Sequence, residues 1–150
     1  LIVSSKGRAM WLIYALLAAV LWGMDYALNE KIFQKNISPQ TFLAIQMSVG
    51  GIVFFILSYF GRLKADINLL KEHSSLVKLV VFAILVAIVA NFFISISIKA
   101  KDATAAGLVE LSYPIFTIFF TWLFFHKAHL NLSTILGGSL IMVGIIVMSL

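Results

Sequence analysis

The stretch Gly107-Leu108-Val109-Glu110-Leu111-Ser112-Tyr113-Pro114 sets one carboxylate inside an apolar run, with proline four residues on. An ionisable side chain in hydrocarbon is costly unless it faces protein or water, so its default reading is a functional site. Proline has no N–H to offer the carbonyl of Glu110, which opens the backbone at the acid itself. A carboxylate placed this way can hold a proton or a bound cation, and the two compete for it. Asp25 is a second acid within an apolar run, and Asn91 and Gln46 contribute amides to two others. Trp22 and Tyr113 supply aromatic surface within three residues of the two acids. Together they describe a small-solute site with an exchangeable acid, aromatic walls and orienting amides.

Other chemistries find no support in the residue pattern. The chain has no cysteine, so disulfides, thiolate metal sites and thiol nucleophiles are excluded. His126 and His129 follow the fourth apolar run with no third ligand nearby, which reads as headgroup or solvent contact and not as a metal site. There is no phosphate-binding glycine loop ending in lysine and serine or threonine, and no His-Glu-x-x-His helix. The expectation is a protein that is not an enzyme and carries no cofactor.

The elements that must position these groups are membrane spans. Of 150 residues, 62% are hydrophobic and 11% charged, with mean hydropathy +1.07. Five apolar runs, about 11–29, 39–60, 77–98, 103–125 and 133–150, each approach the ~20 residues of a spanning helix. The fold class is therefore all-α, a polytopic bundle of five transmembrane helices in a single transmembrane domain, residues 1–150. The first run outlasts the ~7–15-residue core of a signal peptide and continues into Trp22, Asp25 and Tyr26, so it reads as a retained helix. The net charge of +5 is scattered over short loops, which points to membrane orientation and away from nucleic acid.

Five spans put the termini on opposite sides. Lys6, Arg8, Arg62, Lys64, Lys71, Lys78 and Lys127 fall on the N-terminal side, against Lys31, Lys35, Lys99 and Lys101 on the other. The bias favours a cytoplasmic N-terminus in a bacterial inner membrane. Met10-Trp11 is a natural start, and residues 1–9 can be read as a vector-encoded leader. Without Lys6 and Arg8 the count is five to four, which specifies no orientation and leads us to expect insertion both ways round.

Rise per residue puts Asp25, Glu110, Asn91 and Gln46 at a shared depth, roughly 5–12 Å below one boundary. On the fourth run Ala103, Ala106, Glu110, Tyr113, Thr117 and Thr121 form one stripe, away from most of the phenylalanines. On the first, Ala18, Trp22, Asp25 and Asn29 share a face; on the third, Ala83, Ala87, Asn91, Ser95 and Lys99 do. Asp25 stands close enough to the interface to pair with Lys99 or Lys101 instead of serving a site. Asn91 and Gln46 can equally join helices by hydrogen bonds. Gly50, Gly51, Gly137, Gly138 and Gly144 suit close helix packing, and Trp11 and Trp122 suit the membrane interface.

Trp22-Gly23 late in the first helix, the entry Ala103 to Ala106 followed by Pro114, and the Gly137 and Gly144 spacing resemble the EamA branch of the drug/metabolite transporter superfamily. The resemblance runs from about Trp11 to Leu150. It implies a secondary transporter of small metabolites or amphipathic and cationic solutes, built as ten helices from two inverted five-helix repeats. This chain looks like one repeat, so an antiparallel homodimer or a related partner chain would complete it. His126-Lys127 stands where the family often has a glutamate, and that glutamate's role does not transfer. Pro114 is the expected kink. The competing reading is a non-transporting subunit whose polar faces bind a partner chain or lipid.

Overall fold

The computed structural model describes residues 5–126 and 132–149. Lys127 and His129 lie outside them. The described chain is helical throughout: α1 (Ser5–Gln34), α2 (Pro39–Phe60), α3 (Leu63–Glu72), α4 (Ser74–Ala100), α5 (Ala103–Glu110), α6 (Tyr113–Phe125) and α7 (Leu132–Ser149). Four stretches are long and apolar enough to cross a membrane: Met10–Gln34, Pro39–Phe60, Ser74–Ala100 and Ala103–Phe125. The fourth is α5 and α6 taken together. A fifth apolar helix, Leu132–Met148, is shorter; at ~1.5 Å per residue α7 is about 27 Å long, near the minimum span. The protein is a polytopic helical membrane protein, as its hydropathy requires.

Local chemistry sets the helix ends. Ser38 caps α2, its hydroxyl accepting from the Thr41 N–H at 3.2 Å, and Pro39 supplies a first helical residue whose N–H is not needed. Asp102 caps α5 through Oδ1, which accepts from the Ala105 N–H at 2.6 Å. His126 ends α6 in the left-handed region at φ 51°, its N–H donating to the Trp122 carbonyl at 2.9 Å.

The chain divides into two compact units, 1–28 with 101–150, and 29–100. In the second unit α2, α3 and α4 pack on one another, with Phe33 set edge-on against Phe42 at 5.6 Å and Ser95 and Ile98 buried. Helix α3 has no counterpart among the five expected runs. Leu63 and Leu70 turn partly inward while Lys64, Asp66 and Lys71 are exposed, the pattern of a short amphipathic helix. The first unit holds α5, α6, α7 and the larger part of α1, and it carries Glu110. Buried apolar residues are few, namely Phe33, Leu43, Ile98, Ala103 and Ala106 among those described. Most large apolar side chains point outward, which in lipid needs no further covering.

Candidate functional site

Glu110 is the last residue of α5, and the chain does not continue straight into α6. Leu111 and Ser112 keep right-handed backbone angles, φ −56° and −71°, but their bonding is tightened. The Ser112 N–H donates to the Val109 carbonyl at 3.1 Å and the Ile115 N–H to the Ser112 carbonyl at 3.1 Å, both three residues back. Pro114 has no hydrogen to give. Among the described backbone hydrogen bonds, the carbonyls of Glu110 and Leu111 accept none. The expected loosening at the acid is therefore a real interruption of the fourth span, and Pro114 sits just inside α6.

The side chains on either side of the interruption are buried differently. Ala103 and Ala106 are buried and Glu110 half-buried, as the straight stripe requires. Past the break Tyr113 and Thr117 are exposed, while Pro114, Ile115, Ile118 and Thr121 are half-buried.

The Glu110 carboxylate takes a partner from α1. The Tyr26 hydroxyl donates to its Oε2 across 84 positions of sequence. Two neighbours fix that phenol. Trp22, one turn back, meets the Tyr26 ring edge-on at 5.7 Å between centroids. Gly107, one turn before Glu110, faces the ring: a Cβ there would stand 3.4 Å from Tyr26 Cδ2 and 3.6 Å from Cε2, in ordinary van der Waals contact. Around this contact lies a cavity of about 700 Å³, within the ~300–1,000 Å³ range of small-molecule sites. Trp22, Gly23, Tyr26, Gly107, Glu110 and Tyr113 are among its lining. A carboxylate, three aromatic rings and an opened backbone turn thus surround one space.

The model of the EamA-like transporter family matches residues 9–150. The chain belongs to that family. Membership makes it a membrane transporter of small solutes and bears out the resemblance in its residues. Members of the EamA-like family are transporters and not enzymes, which fits a non-enzymatic role. No curated protein and no solved structure matches the chain.

Within this EamA-like transporter the expected site residues separate. Trp22, Glu110 and Tyr113 come together on the cavity. Asp25 is half-buried next to Tyr26 and is not among the lining residues. Asn91 and Gln46 are half-buried and belong to the other compact unit. Asn91 donates from Nδ2 to the Ala87 carbonyl of its own helix at 2.8 Å. Tyr26, which lines the cavity and donates to Glu110, is a residue that the spacing argument passed over. Its signal was available, since Ala19, Trp22, Gly23 and Tyr26 follow helical spacing and put small residues beside two rings.

Proposed function

We propose that this EamA-like transporter moves small cationic or amphipathic solutes, with Glu110 binding the cation and a proton in alternation. The Tyr26–Glu110 hydrogen bond, made at the cavity where the fourth span breaks, carries this reading. A neutral hydroxyl donating to a carboxylate keeps that carboxylate oriented without cancelling its charge. Trp22 and Tyr113 offer faces for the cation and its apolar body. Proton and solute competing for one acid exchange across the membrane, which is antiport. The break at Leu111–Ser112 provides the bend that access change requires. Asp25, adjacent to Tyr26, is the flanking acid, Gln46 serves helix packing, and Asn91 is bonded within its own helix.

Two copies in opposite orientation form the working unit in this reading, in a bacterial inner membrane. The small set of buried apolar residues leaves wide faces for a second copy or a related chain, and the weak charge bias permits either orientation.

The decisive test is proton-driven flux in proteoliposomes, with 2-phenylethylamine and its N,N,N-trimethyl derivative as probes. Glu110→Gln should remove the pH-dependent component while the protein still inserts and purifies. Unchanged, still pH-coupled flux in that variant would refute the assignment. For assembly, a cysteine placed on each side of this cysteine-free chain should crosslink pairwise in native membranes, each labelled from both faces. Single-sided labelling with same-side crosslinks would remove the antiparallel pair.

A further inference from the structure

Three oxygen atoms of the residues around the cavity have no donor among the described hydrogen bonds. Glu110 Oε2 accepts from Tyr26, which leaves the second carboxylate oxygen, and the carbonyls of Glu110 and Leu111 accept no backbone N–H among the described hydrogen bonds. All three oxygens belong to two consecutive residues that line the cavity. A carbonyl freed by proline in a membrane is normally met again by a neighbouring side chain, water or a ligand, because lipid offers no donor. The last carbonyls of α5 also carry the partial negative charge of a helix C-terminus.

We propose that the cavity takes its solute by a primary ammonium group, whose three N–H donors meet the Glu110 carboxylate and the freed carbonyls at the broken turn, with the apolar body against Trp22 and Tyr113. A primary ammonium brings three donors and one charge, which suits three acceptors that include one anion. A quaternary ammonium brings charge and no donor; it satisfies the carboxylate and the rings and leaves the carbonyls unmet. This inference rests on the reading of Glu110 as the binding acid and adds the class of solute. Pro114 becomes a specificity-determining residue, since it frees the Glu110 carbonyl.

The test uses the full chain carrying Trp11→Phe and Trp122→Phe, so that Trp22 is the remaining tryptophan and reports on the cavity by fluorescence. Butylamine and 2-phenylethylamine are titrated beside their N,N,N-trimethyl counterparts. The primary amines should bind at least about tenfold tighter, since hydrogen bonds to charged groups are lost on methylation. Pro114→Ala and Pro114→Gly each restore an N–H for the Glu110 carbonyl, one with a stiffer backbone than the other. Both should weaken the primary amines several-fold and leave the trimethyl compounds unchanged. Equal or tighter binding of the trimethyl compounds, still lost in Glu110→Gln, would overturn the ammonium inference and leave the binding acid standing. An unchanged preference in both Pro114 variants would overturn the part played by the carbonyl. Binding of neither series, or binding indifferent to Glu110→Gln, would overturn both readings together.

Discussion

Helix α4 and the pair α5–α6 are two apolar runs of similar length, and they hold Asn91 and Glu110 differently. In α4, 27 residues run unbroken, and the two polar groups Asn91 and Ser95 find partners four residues back. Asn91 Nδ2 donates to the Ala87 carbonyl and Ser95 Oγ to the Asn91 carbonyl, both at 2.8 Å. In α5–α6 the helix stops at Glu110, and the acid is bonded by a hydroxyl from α1. A polar side chain satisfied by its own helix costs little in lipid and is poorly placed to do more. An acid at a proline break, bonded across helices beside a cavity, can release its partner and accept another. The location of the partner distinguishes the two cases.

The largest effect should come from closing the gap that brings Tyr26 to Glu110. Gly107→Leu puts a branched side chain where even a Cβ would stand 3.4 Å from the Tyr26 ring. The ring must shift by an ångström or more, and misplacement on that scale costs about 100-fold in rate. Gly107→Ala, whose Cβ makes only van der Waals contact, should stay within about threefold, since small residues are the ones that let helices approach. Proton-driven flux at matched protein density checks both. Full activity in Gly107→Leu would dissolve the contrast, because the cross-helix contact would then be dispensable.

Removing the hydroxyl alone is a finer cut. Tyr26→Phe keeps the ring on Gly107 and against Trp22 and deletes the donor to Glu110. A hydrogen bond to a charged group is worth about 1.5–3 kcal/mol, and the lower end of that range sets the expected loss of solute affinity at about tenfold. The loss should appear in Trp22-reported binding as well as in flux. A change confined to flux would make Tyr26 part of the access motion and not of the binding geometry.

The spans and the break were legible in the residues because their causes are local. Hydrocarbon selects long apolar runs, and proline lacks an N–H wherever it stands. Helix α3 was missed because its ten residues include too many charged ones to register as apolar, although Leu63, Ile67 and Leu70 follow helical spacing. The face of α1 that lines the cavity is Ala19, Trp22, Gly23 and Tyr26, a small rotation from the Ala18, Trp22, Asp25 and Asn29 face that the acid suggests. Which of two adjacent stripes meets α5 depends on packing with Gly107, a residue 81 positions from Tyr26. On α6 the expected stripe holds at Tyr113, which lines the cavity, and at half-buried Thr121, and departs at Thr117, which is exposed beyond the break at Leu111–Ser112.

The smallest expected effect tests the quiet side of the comparison. Asn91→Ala deletes an amide that donates to the Ala87 carbonyl, a carbonyl that an α-helix already satisfies through the N–H of residue 91 itself. No backbone group is orphaned by the change, and alanine is the best helix former. Hydrogen bonds between side chains in membranes average about 0.6 kcal/mol, so even a further contact through the Asn91 carbonyl oxygen would move affinity by only about threefold. Flux and Trp22-reported binding should both stay within about twofold of the parent. A tenfold loss with unchanged insertion would show that Asn91 meets the solute or another helix through its second amide atom. The rule drawn from α4 would then fail, and being bonded to one's own helix would no longer mark a polar residue as spent.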